Sequence, residues 1–141
     1  MTSSDLIPFI EAQNAVWPQV AAELEAGHKH THWMWFVFPQ IAGLGSSHRA
    51  QLYAIRDLDH ARRYLADPVL GPRLREAVRL MLLQAGRPAL DILGSPDHMK
   101  FRSCLTLFRE AADEPDAALF DAALGAFYAG EPDPRTLDLV S

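Results

Sequence analysis

Apolar residues recurring at intervals of three and four are the feature that most narrows what this 141-residue chain can fold into. From Pro72 to Ala85, Leu74, Ala77, Val78, Met81, Leu82 and Ala85 fall along one side of a helix, and Arg73, Arg75, Glu76 and Arg79 largely along the other. The same spacing runs through Phe101, Cys104, Leu105, Phe108, Ala111 and Ala112, and again through Phe120, Ala123, Leu124, Phe127 and Tyr128. Leu58, Ala61 and Leu65 predict a shorter helix behind Asp57. Leu6 to Gln13 and Val16 to Ala26 read as helical, with a break near Trp17-Pro18. Ser95-Pro96-Asp97 and Asp133-Pro134 place a capping side chain before a first-turn proline. Asp67-Pro68 predicts a single turn, with the main helix beginning at Pro72. No sustained apolar-polar alternation and no Asn-Gly or Asp-Gly pair marks a hairpin. The fold expected is all-α, a single-domain multihelical bundle over residues 1–141 that buries Leu74, Val78, Met81, Leu105, Phe108, Leu124 and Phe127 together. Trp33-Met34-Trp35-Phe36-Val37-Phe38, apolar on every side and stopped by Pro39, is an aromatic-rich core segment that could be a buried strand or a buried short helix.

Charge excludes some partners. Thirteen Lys and Arg against eighteen Asp and Glu give a net charge of -5, which lacks the positive field that sequence-independent nucleic-acid binding needs, so no nucleic-acid partner is expected. The balance is uneven: residues 1–48 carry a net -3, residues 49–109 a net +5 and residues 110–141 a net -7. A basic middle and an acidic tail could pair internally, bind an anionic ligand or form oppositely charged solvated faces. The longest uncharged stretch, His30 to His48, contains Pro39, Gly43, Gly45 and several polar residues, so no membrane-spanning helix and no membrane partner are expected. The N-terminus shows no export signal, and the single cysteine, Cys104, excludes an internal disulfide framework; both suit the cytoplasm.

Three segments carry candidate chemistry. His28-Lys29-His30-Thr31-His32 places imidazoles at alternate positions, yet no neighbouring carboxylate completes a ligand set, so neither a metal nor another cofactor is expected. His28 and His30 read as surface residues, whereas His32 abuts the aromatic run and reads as partly buried. Phe38-Pro39-Gln40-Ile41-Ala42-Gly43-Leu44-Gly45-Ser46-Ser47 reads either as a plain turn or as a loop whose glycines admit a ligand near the backbone, though it lacks both the dinucleotide fingerprint and the P-loop signature. On a helix beginning at Pro96, Lys100 and Ser103 share a face and could present a cation and a hydroxyl together. Cys104 lies in the apolar stripe, where burial disfavours the thiolate.

Taken together, His32-Trp33-Met34-Trp35-Phe36-Val37-Phe38-Pro39-Gln40-Ile41-Ala42-Gly43-Leu44-Gly45, Tyr53-Ala54-Ile55, Tyr64-Leu65 through Pro68-Val69-Leu70-Gly71-Pro72-Arg73-Leu74, and Lys100-Phe101-Arg102-Ser103 through Thr106-Leu107-Phe108 resemble the bacterial family known as domain of unknown function 1810. The resemblance covers most of the chain, implies an all-helical fold and brings no established activity. His28 and His30 stand where relatives usually have basic or polar residues, and Cys104 where serine is common. Members often carry the label "calpastatin", but calpain inhibition by true calpastatin uses disordered segments, whereas a chain 49% hydrophobic with three amphipathic stripes folds by itself. A looser likeness to NADAR proteins, which handle ADP-ribose-type molecules, implies a nucleotide-like ligand.

Two functions follow as expectations. One is a pocket for a small anionic ligand, nucleotide-like or sugar-phosphate, near the His32-Gly45 segment and formed by His32, Trp33, Trp35, Gln40, Lys100 and Ser103, with Phe38 as a further wall. The other is a structural or protein-interaction module in which the same aromatics are core. No catalytic set, reaction or oligomeric state is legible.

Overall fold

The computed structural model describes residues 3–141, and along them the helices are α1 (Ile7–Ala26), α2 (Met34–Val37), α3 (His48–Leu52), α4 (Leu58–Ala66), α5 (Leu70–Leu82), α6 (Ala89–Leu93), α7 (Asp97–Ala111), α8 (Asp116–Tyr128) and α9 (Pro134–Val140). Among the described residues there is no strand; an isolated parallel bridge joins Ile41 to Ile55, with Ala42 N–H donating to Ile55 O at 2.8 Å and Ile55 N–H to Gln40 O at 2.9 Å. The aromatic run that periodicity left open is therefore a single helical turn, α2, whose Met34 and Val37 face inward.

The architecture is organised around α7. Phe101, Cys104, Leu105, Phe108 and Ala111 form the expected stripe, but Ser103, Thr106 and Leu107 are buried as well, so this helix is enclosed on nearly every side, packing against α4, α6, α8 and α9. Its two buried hydroxyls are satisfied locally in part: Thr106 Oγ1 donates to Arg102 O at 2.8 Å and Ser103 Oγ lies 3.3 Å from Met99 O. Leu74, Ala77, Val78 and Met81 of α5 and Phe120, Ala123 and Leu124 of α8 join the same core, with Phe127 half-buried against it.

Several boundaries differ from the sequence reading. α1 does not break at Trp17-Pro18; Pro18 sits inside one twenty-residue helix. Pro18 and Asn14 both lie on its exposed face, where water can take up the Asn14 carbonyl that loses its donor, while Phe9, Gln13, Val20 and Leu24 hold both halves to one core. α5 begins at Leu70, two residues before the expected start, because Asp67 Oδ2 accepts from both Val69 and Leu70 N–H at 2.9 Å and so caps the chain earlier. It ends at Leu82, which leaves Ala85 exposed beyond it. Ser95 does not cap α7: the first-turn N–H groups of His98 and Met99 go to the carbonyls of Gly94 and Pro96. Asp57 and Asp133 do cap, accepting from His60 N–H at 2.8 Å and Thr136 N–H at 3.1 Å.

Of the three fates open to the charge asymmetry, internal pairing accounts for part. Arg75 grips Asp116 through two 2.8 Å hydrogen bonds, Arg109 reaches Asp121 at 3.1 Å, and Arg102 donates to the carbonyls of Glu131 and Pro132 at 2.9 Å. These contacts fold the acidic tail back along the basic middle and bring α9 beside α7.

Candidate functional site

The site is built on a loop that a buried carboxylate holds. Gly27 closes α1 in the left-handed conformation, and the chain then wraps around Glu23. Glu23 Oε1 accepts from His30 N–H at 2.7 Å, Thr31 N–H at 2.9 Å and Trp33 Nε1–H at 3.1 Å; Oε2 accepts from Thr31 Oγ1 at 2.6 Å and Gln19 Nε2 at 2.8 Å. Burial opposes the charge of this carboxyl, but the Thr31 hydroxyl and N–H, Gln19 and His30 outweigh it and lower its pKa to about 2. Lys29, only 7% exposed, meets Asp97 at 2.9 Å and lies 5.1 Å from the centroid of the Trp33 ring, tying the loop to the start of α7.

Beyond this clamp an open cavity of about 500 Å³ lies between the loop from Gln40 to Ser47, the first turns of α7 and the start of α9. Gln40, Gly45, Ser46 and Ser47 form one wall, Lys100 and Ser103 a second, and Asp133 and Arg135 a third. The loop is braced by α3: Ser47 Oγ accepts from Ala50 N–H at 3.1 Å and Gln51 Nε2 donates to Ser46 O at 3.0 Å. The position of Lys100 is fixed by two contacts, 4.9 Å to the Trp35 ring centroid and 3.8 Å to Asp97 Oδ1. Trp35 also carries Arg49 at 5.1 Å, so one indole supports two cations, of which Lys100 lines the cavity.

The structure thus brings Gln40, Lys100 and Ser103 together and places half-buried Trp35 next to them through Lys100. It does not bring in Trp33 or His32. Trp33 is 1% exposed and belongs to the core, with Phe38 beside it at 6.1 Å between ring centroids. His32 is exposed rather than partly buried: Glu23 holds Thr31 and buried Trp33 on either side of it and leaves the residue 32 side chain outside. His28 and His30 are exposed with their rings 4.5 Å apart, and no group of three or more His, Cys, Asp or Glu side chains is arranged to hold a metal ion among the described residues. Burial raises the pKa of Cys104 well above its ordinary value. Sequence reasoning missed Asp133 and Arg135, whose Asp-Pro-Arg run signalled a helix start and not a cavity wall.

The model of a family described as protein of unknown function, DUF1810, matches residues 3–140. The chain is also similar to the crystal structure of the conserved hypothetical protein Rv1873 from Mycobacterium tuberculosis, with 46% sequence identity over 96% of each chain and a TM-score of 0.92. No curated protein matches.

Proposed function

The chain belongs to the DUF1810 family, whose function is unknown, and on that premise we propose that it binds a small anionic ligand, nucleotide-like or sugar-phosphate, in the cavity between the Gln40–Ser47 loop and α7. The observation that carries this reading is the meeting of Lys100 and Arg135 with the polar Gly45-Ser46-Ser47 backbone around an opening of about 500 Å³, a size typical of small-ligand sites. Lys100 is the principal anion contact, and Gln40 and Ser103 are its polar companions. Trp35 acts by holding Lys100 in place. His32 and Trp33, outside the lining, are left with no direct contact to the ligand. We also propose a cytoplasmic setting, which the free thiol of Cys104 supports.

Thermal-shift screening against nucleotides, ADP-ribose derivatives and sugar phosphates tests the reading. A true ligand at about 100 times its dissociation constant adds roughly 2.7 kcal/mol of stability. Lys100→Met keeps the bulk of the stem and removes the charge; it should weaken binding by about 1–3 kcal/mol and change the stability of the free protein much less. Binding of every such ligand at parental affinity by this variant would contradict the proposal.

A further inference from the structure

An acidic residue in a cavity proposed to hold an anion calls for a reason. Asp133 lines the opening together with Lys100 and Arg135, and its two carboxylate oxygens have different surroundings. Oδ2 is engaged: Thr136 N–H donates to it at 3.1 Å, Thr136 Oγ1 at 2.5 Å, and Ser103 Oγ lies 3.1 Å away. Oδ1 accepts no hydrogen bond from the described residues. Capping α9 therefore uses one oxygen and leaves the other, on a residue that lines the cavity, as an acceptor without a partner among the described residues.

The charge around the opening indicates what such a ligand must carry. Asp97 is shared, with Lys29 at 2.9 Å and Lys100 at 3.8 Å, so these three groups leave one positive charge. Arg135 and Arg49 are exposed and have no carboxylate partner among the described residues. With Asp133 subtracted, these groups sum to a surplus of two positive charges, Arg49 counted through its contact with Trp35 although it does not line the cavity, and that surplus suits a dianionic phosphate monoester better than a zwitterion or a monoanion. A ligand that was anionic throughout would meet the Asp133 carboxylate with like charge. The ligand has to be negative at one end and to donate hydrogen bonds at the other.

Resting on the anion-cavity reading above, we propose that Asp133 is the specificity-determining residue of this cavity and that the ligand is a hydroxyl-bearing phosphate monoester, its phosphate held by Lys100 and Arg135 and a sugar hydroxyl donated to Asp133 Oδ1. Ser103, one helical turn from Lys100 and in contact with Asp133, connects the two ends of the site.

Isothermal titration with ribose 5-phosphate, ethyl phosphate and inorganic phosphate tests this. Ethyl phosphate has the same dianionic head and no hydroxyl, so the unaltered protein should bind ribose 5-phosphate about tenfold more tightly or better. Asp133→Asn retains a capping oxygen for Thr136, since Asn caps as well as Asp, and turns the other carboxylate oxygen into a donor amide. It should abolish most of that preference while leaving the affinity for ethyl phosphate equal or improved. Lys100→Met should weaken both esters alike. Equal affinity of the unaltered protein for ribose 5-phosphate and ethyl phosphate overturns the assignment of Asp133 and leaves the anion site standing, whether or not the Asn variant folds. Undiminished preference in a folded Asp133→Asn protein does the same. If none of the three phosphates binds, or if Lys100→Met binds them as the parent does, the anion site falls and this assignment with it.

Discussion

Glu23 shows how much one side chain can decide here. Five donors converge on it, and three of them, His30 N–H, Thr31 N–H and Trp33 Nε1–H, meet a single oxygen. Glu23→Ala leaves those donors without a partner in a buried place and should cost about 3 kcal/mol or more in urea unfolding at neutral pH; Glu23→Gln, which keeps one acceptor, should cost about half as much. The pH dependence follows from the lowered pKa. The folded carboxyl titrates at about 2 against an ordinary value of 4.5, so its contribution is complete above pH 4.5 and is lost as the pH falls from there towards 2. Buried His60 adds an earlier step: burial lowers its pKa below the ordinary 6.5, and its Nδ1 already accepts from Arg56 N–H at 3.0 Å, so the folded state holds it neutral and loses stability as acidification through 6.5 protonates the unfolded chain. Urea midpoints measured from pH 8 to pH 3 should show both steps, and Glu23→Gln should shrink the lower one, leaving the part due to Asp5, whose carboxyl Arg63 and Arg56 also hold well below its ordinary 3.8. Neither residue announced itself in the sequence. Glu23 lies inside the helical stretch Val16 to Ala26 with nothing in its spacing to mark it, because its partners lie beyond a turn whose path only Gly27 and the loop's own hydrogen bonds settle.

At the scale of elements, the spacing of apolar residues made the long helices legible and their ends less so. α5, α7 and α8 lie where the stripes place them, since the burial of one face is a property of residues three and four apart. The starts moved where a tertiary or local contact overrode proline grammar, as Asp67 does for α5. Gly71 marks another such place: a Cβ there would sit 2.1 Å from the Leu65 carbonyl oxygen, the atom that Arg75 Nη2 reaches at 3.1 Å while gripping Asp116. Gly71→Ala should therefore destabilise the protein by about 1–3 kcal/mol through a backbone shift at the α4–α5 corner, although alanine has the higher helix propensity. A chemical-denaturation curve that moves to higher urea would contradict that packing. Lys100 and Ser103 were legible as a pair for the same reason as the stripes, being one turn apart on one helix. Asp133 and Arg135 were not, because they reach the cavity only once Arg102 binds the Glu131 and Pro132 carbonyls and Thr106 Oγ1 accepts from Asp133 N–H at 2.9 Å.

Across the whole molecule, one buried cluster draws side chains from α1, α2 and α4 to α8, and the largest enclosed residues include Trp33, Tyr64, Phe9, Phe38, Phe101, Phe108 and Phe120. We propose that residues 1–141 unfold as one domain, with far-ultraviolet and near-ultraviolet circular dichroism following a single urea transition; two separated transitions would contradict it. The same core separates packing aromatics from site aromatics. Trp33→Ala should cost about 3–5 kcal/mol as a cavity mutant, whereas half-buried Trp35 should cost less in stability and more in ligand affinity, since it holds Lys100. Among the described residues no helix is long and apolar enough to cross a membrane, and the surplus positive charge at one opening contrasts with a net charge of -5 for the chain. Whether that local reversal of sign holds an anion is read from a titration of the isotopically labelled protein with ribose 5-phosphate, followed amide by amide. Saturable shifts are expected at Gln40, Gly45, Ser46, Ser47, Lys100 and Ser103, all of them diminished in Lys100→Met. Shifts confined instead to a smaller cleft between α4, α5 and the start of α8, lined by Arg62 and Arg75, or no saturable shifts at all, would contradict an anion site at Lys100.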